Sequence, residues 1–115
     1  MKRLEDRLQI NCVKWMKLQH PNIVIHHSPN GGFRTKAEAG IFKAMGTLAG
    51  FPDLLILKPN SEYNALFIEL KSPKGRQFDT QKAFEQKCIE FNYRYVICRS
   101  LEEFMTEVNN YLKTN

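Results

Sequence analysis

The stretch that most constrains this chain is residues 50–71, where two short apolar segments, GFPDLLIL and NALFIELK, flank a polar break of Lys58, Pro59, Asn60, Ser61, Glu62 and Tyr63. Both segments are β-compatible and the break is rich in turn formers, so the pair reads as adjacent strands of a hairpin. With the turn centred near Ser61, antiparallel pairing puts Lys58 opposite Asn64 and Asp53 opposite Glu69. Directly opposed residues share a face, with Cβ atoms about 5 Å apart. Lys71 lies two residues beyond Glu69 and therefore points to the same side. Leu54, Ile56, Leu66, Ile68 and Leu70 fill the other face, while Leu55, Leu57, Ala65 and Phe67 continue the charged one. Strands apolar on both sides belong inside a covered sheet.

Two carboxylates side by side in such a sheet repel each other and are poorly solvated. A divalent cation and a lysine would relieve both problems. That combination suits metal-assisted chemistry on a phosphate ester.

Composition narrows the class. At 115 residues the chain reads as one domain, with 43% hydrophobic residues to supply a core without staples. Seventeen Lys and Arg against twelve Asp and Glu leave a formal charge of +5, which permits a polyanionic partner without requiring one. The three cysteines, Cys12, Cys88 and Cys98, sit in apolar patterns without metal-ligand spacing and read as buried thiols. No apolar run is long enough for a membrane span, and the N-terminus is charged and amphipathic rather than signal-like. The expectation is a soluble, intracellular (cytoplasmic) protein of a reducing compartment, with no membrane association and no nucleotide cofactor.

Along the chain, Leu4, Leu8, Cys12, Trp15 and Leu18 recur at helical spacing and predict a first helix from about Lys2 to Gln19, ending before Pro21. Glu5 flanks this stripe and is either a first-turn acid favoured by the helix dipole or a member of the acidic group. Residues 23–27 form a short strand candidate, in which His26 and His27 lack a partner at ligand spacing and read as structural or surface residues. Ser28, Pro29, Asn30, Gly31 and Gly32 make a loop. Thr35 and Glu38 fit a capping box for a second helix, with Ile41, Ala44, Met45 and Leu48 as its apolar stripe and Gly46 or Gly50 as its end. Arg34, Lys36 and Lys43 make this segment basic, as a solvated face or a phosphate contact.

After the hairpin, Ser72, Pro73, Lys74, Gly75 and Arg76 form a basic loop leading to Asp79, the expected N-cap of a helix running to about Asn92. Phe84, Cys88 and Phe91 mark its buried side. Gln81 lies three residues before Phe84 and either faces the sheet near Glu69 or caps the helix at the surface. Residues 93–98 (YRYVIC) read as a strand, and Ser100 with Glu103 as a capping box for a last helix with Leu101, Phe104, Met105, Val108 and Leu112 on its apolar side. The order is α-β-α-β-β-α-β-α, an α/β sandwich around one mixed sheet.

Pro52-Asp53 followed by Glu69-Leu70-Lys71 resembles the PD-(D/E)XK signature of the restriction-endonuclease-like nucleases. The wider set is Glu5, Pro29-Asn30, Arg34, Met45-Gly46, Gly50-Phe51-Pro52-Asp53, Phe67-Ile68-Glu69-Leu70-Lys71, Gly75 and Gln81. In that order and spacing it is similar to a stand-alone VRR-NUC domain of the viral and bacterial replication-repair type, over nearly the whole of residues 1–115. The resemblance implies a restriction-endonuclease-like core with a central mixed β-sheet flanked by helices. It implies that Asp53 and Glu69 ligate Mg²⁺ or Mn²⁺, with the backbone carbonyl of Leu70 as a further oxygen ligand. Lys71 would orient or deprotonate the attacking water and stabilise negative charge. Glu5 would complete the acidic cluster directly or through water, and Gln81 would position the metal shell or the lysine. Asn30 and Arg34 match a family motif and would hold the DNA backbone, although Gly31-Gly32 stand where the family often has a polar residue. Lys36, Lys43, Lys74 and Arg76 are the remaining candidate DNA contacts.

The function so implied is a Mg²⁺-dependent, structure-specific DNA endonuclease. The chain is too small to carry a module for reading base edges beside the nuclease core. Stand-alone members resemble Holliday-junction resolvases, and a homodimer would match the two-fold symmetry of a four-way junction. The alternatives are a monomeric flap or branched-DNA nuclease, and a catalytically silent DNA-binding module. Retention of Asp53, Glu69 and Lys71 together argues against the silent module.

Overall fold

A computed structural model describes residues 2–29 and 35–114 of the chain. Along it run α1 (Lys2–Gln19), β1 (Ile25–His27), α2 (Lys36–Ala44), β2 (Leu54–Ile56), β3 (Leu66–Leu70), α3 (Asp79–Glu90), β4 (Arg94–Cys98) and α4 (Leu101–Lys113), the order that the sequence predicts. The four strands form one sheet in the order β1-β2-β3-β4. The β1–β2 and β2–β3 pairs are antiparallel and the β3–β4 pair is parallel, so the sheet is mixed. Parallel neighbours need a crossover, and α3 supplies it.

The hairpin takes the expected register, with Leu54 across from Ile68 and Ile56 across from Leu66. Asn60 closes the break between its strands. The Asn60 Oδ1 accepts from the backbone amides of Glu62 at 2.8 Å and Tyr63 at 2.7 Å, and its own backbone amide donates to the Tyr63 carbonyl at 2.9 Å. The same side chain donates from Nδ2 to the Tyr111 carbonyl at 3.0 Å, and the Tyr111 hydroxyl donates to the Lys58 carbonyl at 2.6 Å, so the turn is held both by its own backbone and by α4.

Strand alternation then sorts the side chains. Leu54, Ile56, Leu66, Ile68 and Leu70 join Cys12 and Met16 of α1 and Phe104, Val108 and Tyr111 of α4 in one cluster. Ala65 and Phe67 pack with Cys88 of α3 and Tyr95 of β4 on the opposite face. Around Phe67 the rings of Phe51, Phe84 and Tyr93 stand edge-on, with centroids 5.6, 5.4 and 5.1 Å away. Such pairs add about 0.5–1.5 kcal/mol each beyond their burial. Every residue of β3 is buried, which makes it the central strand. Cys12, Cys88 and Cys98 are free, buried thiols; burial pushes Cys12 and Cys98 up to about 12, and burial with nearby Glu85 pushes Cys88 up to about 11.

Several local expectations shift. In α1 the buried positions are Cys12 and Met16, while Leu18 is 79% exposed. Leu18 is two residues from Met16, about 200° around a helix, and so turns away from the sheet. In α2 the Thr35–Glu38 capping box forms in both directions, and Gly46 follows the helix with φ +110°. Its stripe is not core, however: no residue of α2 is buried, and Ile41, Met45 and Leu48 are 60%, 75% and 52% exposed. The N-cap of α3 is Phe78, not Asp79, because the Gln81 side chain accepts the Phe78 amide and places the helix start one residue earlier. At α4 the Ser100 hydroxyl accepts the Glu103 amide, but the Glu103 carboxylate takes the amide of Arg99 rather than that of Ser100.

Gly50 decides how the hairpin meets α3. It has φ +84°, and a Cβ there would stand 2.3 Å from the Thr80 carbonyl oxygen and 3.0 Å from the Gln81 amide nitrogen. The backbone leading into Pro52 and Asp53 thus lies directly on the first turn of α3. Gly50→Ala combines a left-handed conformation with a backbone clash. It should cost more than about 2 kcal/mol of stability in urea titrations.

Candidate active site

Extending the register one residue past Leu54 and Ile68 sets Asp53 across from Glu69. Asp53 follows the buried Pro52 in the bend that precedes β2. Its Oδ2 accepts the backbone amide of Leu70 at 2.7 Å, which ties the aspartate to the residue beside Glu69. His27, read from sequence as structural, reaches the same segment: its Nδ1 lies 2.8 Å from the Asp53 carbonyl oxygen. A carbonyl only accepts, so Nδ1 carries the hydrogen.

Glu69 is 4% exposed and Lys71 is 4% exposed. The Glu69 Oε2 accepts from Gln81 Nε2 at 2.9 Å and stands 3.9 Å from Lys71 Nζ. Its Oε1 is buried and has no hydrogen-bond partner. Burial raises the Glu69 carboxyl to about 9, helped by neighbouring Asp53 and the charge of Glu5, and opposed by Lys71. Desolvation and like charge together outweigh the lysine, so Glu69 is protonated at neutral pH when nothing else neutralises it.

Gln81 is locked at both ends. Its Oε1 accepts the Phe78 amide at 2.7 Å, which leaves Nε2 as the end that meets Glu69. Gln81 therefore caps the helix and faces the acid at once, and it does so buried rather than at the surface. Lys71 Nζ lies 4.3 Å from the centre of the Phe78 ring, a cation–π contact. Nothing in the spacing of Phe78 marks it for this contact. Glu5 of α1 comes to the end of β3, where its Oε2 faces the Ser72 amide at 3.4 Å.

Lys36 and Lys43 are exposed on α2, and Lys74 and Arg76 are exposed in the loop after Lys71. Asn30 and Arg34 lie outside the described residues. Among the described residues, no group of three or more His, Cys, Asp and Glu is gathered to hold a metal ion. The donors at hand are the Asp53 and Glu69 carboxylates and the Leu70 carbonyl, with Glu5 at the Ser72 amide. This donor set fits a hard cation that keeps several waters. The unpartnered Glu69 Oε1 is an oxygen such an ion would satisfy.

The Glu69 carboxyl titrates near 4.3 in an unfolded chain and at about 9 in the folded one. Its folded-state value is raised, so its contribution to stability is complete below the unfolded value and is lost as pH climbs toward 9. In EDTA, Glu69→Gln should melt several degrees above wild type at pH 8, with the gap closing by pH 4.5. Melting curves at the two pH values check this, and a gap that does not depend on pH would contradict it.

The VRR-NUC domain family profile matches residues 3–102. A solved structure described as a "VRR_NUC domain protein" is 29% identical, superposes with a TM-score of 0.84, and is matched over 97% of this chain and 90% of its own. No curated protein matches the chain. With a mixed sheet that brings half-buried Asp53 beside buried Glu69 and Lys71, the chain belongs to the VRR-NUC domain family, a nuclease family whose members process DNA.

Proposed function

We propose that this chain is a Mg²⁺-dependent (or Mn²⁺-dependent), structure-specific DNA endonuclease that resolves Holliday (four-way) junctions as a homodimer. The observation that carries the metal and the chemistry is the opposed pair of half-buried Asp53 and buried Glu69, in which the Glu69 Oε1 has no hydrogen-bond partner. Asp53, Glu69 and the Leu70 carbonyl would hold the cation, with Glu5 reaching it through water. When bound, it supplies Lewis acidity toward the scissile phosphate and the attacking water.

The chain's own side chains do the rest. Lys71, buried against Phe78, presents its ammonium at the acid pair, where it orients the water, takes part in moving its proton and balances charge that develops on the phosphate. Gln81 holds Glu69 by one oxygen and so leaves the other for the cation. The Leu70 amide holds Asp53 in the same way. None of these residues needs to become a covalent nucleophile, consistent with direct hydrolysis in one in-line displacement.

Selectivity for structure fits a surface whose candidate DNA contacts, Lys36, Lys43, Lys74 and Arg76, are exposed side chains that meet phosphates rather than base edges. The homodimer reading rests on the symmetry of the substrate and on the apolar surface of α2 and the segment after it, where Ile41, Met45 and Leu48 leave area that a second copy would bury.

A labelled four-way junction incubated with Mg²⁺ should be cut symmetrically on opposing strands, and EDTA should stop the reaction. A preference for flaps would favour the monomeric branched-DNA enzyme, and binding without any cutting would favour the silent module. Asp53→Asn and Glu69→Gln should each lower cleavage by about three orders of magnitude or more while leaving junction binding in place. Lys71→Ala should reduce turnover more than it weakens the response to Mg²⁺ concentration. In sedimentation, the paired substitution Ile41→Asp and Met45→Asp should shift a dimer to monomers; an unchanged dimer would place the interface elsewhere.

A further inference from the structure

Lys71 is followed at once by the loop of residues 72–76, which carries Lys74 and Arg76. The loop closes on itself through the Gly75 amide, which donates to the Ser72 carbonyl at 3.0 Å. Beneath that turn lies the guanidinium of Arg99. Its Nη1 donates to the Ser72 carbonyl at 2.8 Å and the Gly75 carbonyl at 2.7 Å, with the Pro73 carbonyl at 3.5 Å. One Nη1 carries two hydrogens, so the two short bonds use both.

Arg99 is itself well anchored. Its backbone amide donates to Glu103 Oε1 at 2.6 Å at the start of α4. The carbonyl of the preceding residue, Cys98, accepts the Lys71 amide at 3.1 Å. One side chain therefore bolts both ends of the turn to the strand that runs alongside Glu69. Ser72 is held a second time, since its amide faces Glu5. The Nη1 of this half-buried guanidinium is thus engaged by the loop's backbone carbonyls. Lys74 and Arg76, by contrast, are exposed.

We infer that Arg99 is a positioning residue for DNA binding: by clamping the Ser72 and Gly75 carbonyls it presents Lys74 and Arg76 together at the edge of the active site. This rests on the reading of Lys74 and Arg76 as phosphate-binding side chains. A merely structural role would lower stability without touching the number of phosphates engaged. That number is read directly from the salt dependence of binding, whose log–log slope becomes shallower by about 0.9 for each phosphate of duplex DNA that the protein no longer neutralises.

The test is equilibrium binding of the whole chain to a labelled four-way junction in EDTA across a KCl series. The variants are Arg99→Gln, the double variant Lys74→Gln with Arg76→Gln, and the triple. Arg99→Gln should flatten the slope about as much as the double variant, and the triple should add nothing, since groups that act through one another are not additive. Equal, additive losses would overturn the inference by making Arg99 an ordinary phosphate ligand, and so would a wild-type slope for Arg99→Gln. A wild-type slope for the double variant would remove the loop from the DNA interface altogether, a separate failure that also ends the inference. If circular dichroism shows Arg99→Gln unfolded, Arg99→Lys replaces it. The lysine keeps the charge on a side chain one bond shorter, which shortens its reach toward the Ser72 and Gly75 carbonyls, and should still flatten the slope; an unchanged slope there overturns the clamp.

Discussion

A carboxyl group in the middle of a fully buried strand is the constraint that the rest of this structure answers to. Glu69 cannot be solvated, and leaving an ionised carboxylate in an apolar sheet is costly unless partners surround it. The partners come from every direction: Gln81 from the first turn of α3, Lys71 from two residues along the chain, and Asp53 from beside the neighbouring strand. Each arrives by a different structural device. The Asn60 turn sets the register that brings Asp53, the tight passage at Gly50 seats the hairpin on α3, and the capped start of α3 aims Gln81. A slip of one residue in the hairpin would send Glu69 to the opposite face, among Leu54, Ile56 and Phe104, so core packing and site assembly are specified by the same alternation.

The hairpin was the most legible part of the chain because two independent codes agree on it. Alternating apolar residues fix the faces, and turn chemistry fixes the register, so the opposition of Asp53 and Glu69 could be read without knowing the sheet. Helix order and the capping of α2 were legible for the same local reasons. What periodicity cannot give is the strand order, and the interactions that sequence reasoning missed depend on it. His27 meets the Asp53 carbonyl only because β1 lies beside β2, and Arg99 meets the Ser72 carbonyl only because β4 lies beside β3. Likewise, the stripe on α2 identifies an apolar side but not what covers it. Ile41 and Met45 have the spacing of core residues and are nonetheless exposed.

The basic character of the chain divides unevenly once the side chains are placed. Lys71 is buried beside Glu69, Arg99 is engaged with backbone carbonyls, and Arg94 and Lys87 face Glu107 and Glu90. The exposed pairs contribute little to stability, but they remove cations from the field that a polyanion meets. Each such pair cancels one cation against one anion, so the formal +5 is carried by the cations outside these pairs. Lys74 and Arg76 stand exposed on the loop directly after Lys71.

The three thiols give the fold an internal clock. Cys12 and Cys98 lie in the cluster between the sheet and the α1–α4 pair, and Cys88 lies in the cluster under α3. Only a thiolate reacts with an alkylating reagent, and all three are both enclosed and held in the neutral form. Labelling must wait for the layer that covers each one to open. Mass-resolved alkylation of the native chain thus separates the opening of one face of the sheet from the opening of the other, without a probe being introduced.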